Sequence, residues 1–130
     1  MSRRVVVGAA VIVGERVLAA RRRAPAPLAG RWEFPGGKVE AHESEPAALI
    51  RECAEELGIA IEIETLIDRG PIDDARELAV YLARLVRGEP EPGADHDAVR
   101  WLAARELHEV AWLDADRPFV DAVALHLRSR

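Results

Sequence analysis

From Gly37 to Ile59 the chain reads GKVEAHESEPAALIRECAEELGI, and the second half of this stretch predicts the helix on which the fold turns. Ser44 is a good N-cap, Pro46 is tolerated in a first turn and Gly58 supplies a stop. Ala47, Leu49, Ile50, Cys53 and Leu57 give the helix an apolar stripe. Glu52, Glu55 and Glu56 stand three and four residues apart, which gathers three carboxylates on one face within one turn. Like charges at that spacing cost about 0.2 to 0.5 kcal/mol per pair, so the cluster weakens the helix unless a cation sits on it. Mg²⁺ prefers oxygen ligands, keeps several waters and bridges one or two carboxylates to phosphates. The plainer reading of glutamates on a helix is a solvated face. Gly36 and Gly37 let the backbone turn sharply or approach a ligand closely.

Working outward, Val5 to Val13 and Arg16 to Arg22 flank Gly14-Glu15 and read as a hairpin. Arg31 to Phe34 is a short extended piece ending in a glycine loop at Pro35-Gly36-Gly37. Ile59 to Ile67 and Glu77 to Val86 read as strands separated by Gly70 and Pro71. A loop with Pro90, Pro92 and Gly93 leads to a short strand from Ala98 to Leu102, a helical start at Ala103, and a C-terminal helix opened by Pro118. The expected class is α/β, a mixed sheet with a helix on either side, in one domain spanning 1–130.

The net charge of −5 gives no footprint for a nucleic-acid polymer, so an anionic substrate needs a local cation. The longest apolar runs fall far short of the roughly 20 residues that span a bilayer, and a cytosolic protein without a membrane partner is expected. Cys53 is the only cysteine, which agrees with a reducing compartment. It reads as a small buried hydrophobe rather than a nucleophile.

Gly37, Glu43, Arg51-Glu52, apolar Cys53, Glu55-Glu56, Gly58 and apolar Ile59 fall in a pattern that resembles the Nudix box in full, with nothing inserted or missing. The resemblance implies the Nudix fold, an α/β/α sandwich, and a hydrolase in which Glu52, Glu55 and Glu56 bind metal, with the Gly36 carbonyl as a further ligand. The metal it implies is Mg²⁺, with Mn²⁺ able to substitute. Arg51 can reach back toward Glu43, and its role would be to hold carboxylates in position. Lys38 looks like a phosphate contact, although a solvated lysine is the alternative.

The stretch Gly30 to Lys38 resembles the segment before the box in MutT-type triphosphatases, which implies a nucleoside triphosphate cut to monophosphate and pyrophosphate. Arg22 aligns with a family arginine that reaches phosphate. Phe34 either faces the base or belongs to the core. The run from Asp95 to Trp101, with Trp112 and Asp116, resembles the CTP pyrophosphohydrolase branch, some members of which take 8-oxo-dGTP. Asp116 falls near a position where MutT relatives place a base-reading amide. It could accept from a cytosine amine or cap a helix. Arg100 replaces a glutamate of the 8-oxo-dGTP relatives, and Asp95, His96 and Asp97 are left unranked as its substitutes. Two other readings stand beside the triphosphatase: a silent Nudix domain that senses a nucleotide, and a hydrolase of another nucleoside diphosphate derivative. A monomer or a homodimer is expected.

Overall fold

A computed structural model describes residues 3–129. Strands β1 (Arg4–Val13) and β2 (Arg16–Arg22) form the expected hairpin, and Gly14, at φ 61°, occupies a turn position that favours glycine. The two strands pair only at their turn end, Ile12 with Val17 and Val13 with Arg16, and then diverge. Two short strands use the edges this exposes. β3 (Trp32–Glu33) pairs with β2, and β4 (Gly36–Lys38) pairs with β1 opposite Val6, Val7 and Gly8. The glycine segment is therefore a strand, where the sequence reading expected a loop. A Cβ on Gly36 would fall 1.8 Å from the Val7 carbonyl oxygen, so only glycine can lie this close to β1.

The helix α1 (Glu45–Leu57) begins at Ser44, whose hydroxyl accepts from the Ala47 amide at 3.1 Å, and ends at Gly58 with φ 69°. Its buried stripe is Ala48, Leu49, Cys53 and Leu57. Ala47 and Ile50, both expected in the stripe, are exposed, Ile50 at 42%. Strands β5 (Ala60–Pro71) and β6 (Arg76–Arg87) run longer than the apolar alternation suggested. Gly70 and Pro71, expected to separate the strands, instead end β5, paired in regular register with Leu78 and Glu77, and the three register shifts of this pair lie earlier, between Ala60 and Asp68. β7 (His96–Ala103) pairs with β2, and the segment after it is a 3-10 turn, Ala104–Glu109. A second 3-10 turn, Arg117–Phe119, leads into α2 (Val120–Arg128).

The sheet runs β3-β2-β1-β6-β5, with β4 on β1 and β7 on β2. The β1–β6 pair is parallel and the others are antiparallel, so the sheet is mixed. Alternation along β1 sends Val7, Ala9 and Val11 toward α1, and Ala10 and Ile12 toward α2. Both faces are buried, which is why β1 reads as an almost unbroken apolar run. No helix among the described residues is long and apolar enough to cross a membrane.

Candidate active site

Divergence of β1 from β2 opens a cleft of about 470 Å³, lined among others by Arg22, Glu33, Phe34, Gly36, Lys38 and Asp116. Its glycine floor abuts the glutamate face of α1. A Cβ on Gly37 would lie 2.2 Å from Glu52 Oε2, so the carboxylate rests directly on the glycine backbone.

Arg51 organises this face. Its Nε and Nη2 donate to the two oxygens of Glu43 at 2.8 and 3.0 Å, Nη1 donates to Glu52 Oε1 at 2.6 Å and to Glu55 Oε2 at 3.3 Å, and Nη2 also reaches the Lys38 carbonyl at 3.1 Å. A planar fork suits this many oxygens at once. The Arg51 guanidinium and the Glu40 amide hold the Glu43 carboxyl down at about 2. Glu55 is 61% exposed, whereas Glu52 and Glu56 are 16% and 13% exposed.

Glu56 is the site's unsatisfied group. Burial, and then the adjacent Glu52 carboxylate, push its carboxyl up to about 9, with Glu33 and Asp95 adding to the effect. Its Oε1 is buried with no hydrogen-bond partner. Among the described residues no acidic, histidine or cysteine side chains form a ready-made metal cage. Mg²⁺ does not require one, since it retains waters and takes few carboxylates. An all-oxygen cluster of mutually repelling carboxylates, one of them resting on a glycine backbone, fits a hard cation.

At the other end, Asp116 is 5% exposed and its Oδ2 accepts from the Phe34 amide at 2.9 Å. Its side chain makes no cap bond to the 3-10 turn that follows. Burial pushes its carboxyl up to about 8, opposed by the Phe34 amide and by Arg22. Phe34 is 3% exposed and packs on Trp112 with ring centroids 4.7 Å apart, so it belongs to the core while also lining the cleft. Lys38 is exposed at the cleft margin. Arg22 donates from Nε and Nη2 to the Ala24 carbonyl and from Nη1 to Glu33 at 3.4 Å. Cys53 is fully buried on the α1 side of the sheet, and burial pushes its thiol up to about 12.

Of the three loop residues left unranked by the sequence, Asp97 is at the surface, paired with Arg21 at 2.7 Å. His96 is buried and meets Glu33 at 2.7 Å. Neither Glu33 nor His96 could be singled out from sequence. They lie 63 positions apart and become neighbours only when β3 and β7 flank β2.

The description of a NUDIX domain matches residues 2–123, and the chain belongs to that family. It is 45% identical over 128 residues to a "Putative 8-oxo-dGTP diphosphatase 2" of Mycobacterium tuberculosis, covering 95% of this chain and 90% of the relative. It is 33% identical over 123 residues to a CTP pyrophosphohydrolase of Escherichia coli, covering 90% and 88%. A crystal structure of a MutT NUDIX hydrolase from Burkholderia pseudomallei superposes with a TM-score of 0.80 at 34% identity, covering 95% of this chain and 99% of that one. The protein is thus a Nudix hydrolase with the Nudix fold, and enzymes of this family act on small nucleotide substrates.

Proposed function

We propose that this single-domain hydrolase is a cytoplasmic, Mg²⁺-dependent nucleoside triphosphate pyrophosphohydrolase that releases a nucleoside monophosphate and pyrophosphate. Its substrate is 8-oxo-dGTP, as in nucleotide-pool sanitation. The observation that carries this reading is the contact of Glu52, itself beside the buried Glu56, with the Gly36-Gly37 floor of a nucleotide-sized cleft. Glu52, Glu55 and Glu56, with the Gly36 carbonyl, would hold the metal, and Mn²⁺ has the same preference for oxygen. A divalent metal held there would supply activation of the attacking water and neutralisation of charge on the leaving phosphate. The water oxygen bonds to the β-phosphorus, and the bond from that phosphorus to the α–β bridging oxygen breaks. Arg51 keeps Glu43 and Glu52 in place and touches no reacting atom. Arg22 and Lys38 supply the local positive charge that an acidic protein needs for a polyphosphate.

Asp116 reads the base. Burial raises its carboxyl to about 8 and so favours the protonated form, which makes it a hydrogen-bond donor where the sequence offered an acceptor or a helix cap. With Oδ2 accepting from Phe34, the proton sits on Oδ1 and can be donated to O6 of an oxidised guanine or N3 of a cytosine. This keeps (d)CTP as a second substrate reading, favoured by the 33% identical relative.

Pyrophosphate release from 8-oxo-dGTP, dGTP, CTP, dCTP and an ADP-sugar separates these readings. The expected order places 8-oxo-dGTP first, with the ADP-sugar inert. Preference for CTP would select the second substrate, and turnover of the sugar alone would reject both.

A further inference from the structure

His96 joins three segments that are distant in sequence. Its Nε2 lies 2.7 Å from Glu33 Oε2 on β3, and its Nδ1 faces Glu56 Oε1 on α1 at 3.9 Å. That last gap is just beyond a hydrogen bond. Glu56 Oε1 and His96 Nδ1 are the two buried side-chain polar atoms without a partner among the described residues, and they face each other. Buried polar groups are ordinarily satisfied, so two orphans across one small gap mark a contact that a slight side-chain rotation completes.

The approach is built into the backbone. A Cβ on Gly93 would fall 2.6 Å from the Glu56 carbonyl oxygen, and one on Gly88 would fall 2.7 Å from the Gly58 carbonyl oxygen. The Glu91 amide donates to the Leu57 carbonyl at 3.1 Å. The segment before β7 is therefore laid backbone to backbone on the last turn of α1, the turn that carries Glu56. This contact delivers His96 to the carboxylate.

We infer that His96 is a positioning residue for Glu56. Two carboxylates are held at once by a ring that carries a proton on each nitrogen: Nε2–H donates to Glu33, Nδ1–H holds Glu56 Oε1, and the other Glu56 oxygen is left free for the metal. Ligating carboxylates elsewhere depend on such outer partners. The Glu33 oxygen that meets His96 also accepts from Arg22 at 3.4 Å, so one chain of contacts runs from the cationic end of the cleft to the metal carboxylates. A histidine suits this place because its two ring nitrogens point to opposite sides from a short, rigid stem. Asparagine reproduces only the Nδ1 position and glutamine only the Nε2 position.

The inference rests on Glu56 being a metal carboxylate, and Mn²⁺ binding to the purified protein, read from the paramagnetic resonance signal of free Mn²⁺, tests the two separately. Glu56→Gln should abolish tight binding. His96→Gln should weaken it on the order of tenfold to a hundredfold and lower kcat with little change in KM, while His96→Asn regains most of the affinity. Wild-type affinity in His96→Gln, or equal weakness in the two His96 variants, overturns the positioning role while leaving the Glu56 result intact. Wild-type binding by Glu56→Gln overturns the metal reading and the inference with it. If His96→Gln fails to fold, Glu33→Ala replaces it, with the same loss expected and unchanged binding counting against the role.

Discussion

A carboxyl group cut off from water keeps its proton unless a cation or several donors hold the charge, and Asp116 has only the Phe34 amide and the more distant Arg22 to oppose its burial. Unfolded, it ionises above about 3.8; folded, it keeps its proton to about 8. Between those values the unfolded chain binds fewer protons, so the Asp116 contribution to stability is fully present at low pH and is lost as pH rises toward 8. Asparagine mimics the neutral acid, accepting from Phe34 and donating into the cleft at every pH. Asp116→Asn should therefore match the wild type near pH 4 and exceed it above pH 8, by on the order of 1–3 kcal/mol in thermal or denaturant unfolding. It should also keep the base preference that Asp116→Ala loses, with phosphate chemistry largely retained in both. Relative rates across bases unchanged from the wild type in Asp116→Ala would remove this residue from the substrate site.

The paired glycines of β4 separate folding from chemistry at the level of the element. At Gly36 an added methyl meets the Val7 main chain, which cannot yield without breaking the β1–β4 pairing. At Gly37 the obstacle is the end of the Glu52 side chain, which can swing away. Gly36→Ala should thus cost several kcal/mol, on the order of 3 or more, and lower the unfolding midpoint sharply. Gly37→Ala should stay folded and lose most turnover because Glu52 is displaced. Similar stability losses in both variants would mean that the Glu52 contact is incidental. This segment also marks where sequence reading stopped. Caps and spacing made α1 legible from Ser44 to Gly58, and the hairpin followed from its turn. That the glycines form a strand was hidden, because Gly-Gly has turn-like propensity and its pairing partner lies some thirty positions earlier on β1. Ala47 and Ile50 flank the buried stripe rather than join it, because Ala48 and Leu49 already fill its width in that turn.

At the scale of the molecule, the acidic cluster on α1, the cleft and the loop before β7 are brought together by one feature, the divergence of β1 from β2 after a two-residue turn. The carboxylates of α1 were visible as a local pattern, whereas His96 and Glu33 were not, since only the strand order makes them neighbours. The central claim is that Glu52 and Glu56 serve a divalent metal in phosphoanhydride hydrolysis. Its most direct test is pyrophosphate release from 8-oxo-dGTP and CTP by the wild type and by Glu56→Gln, each with Mg²⁺ and with chelator. The account predicts wild-type turnover that chelator abolishes, and a folded Glu56→Gln protein at least about a hundredfold slower in saturating Mg²⁺. Near-normal turnover by Glu56→Gln, or wild-type turnover that survives chelation, would contradict it.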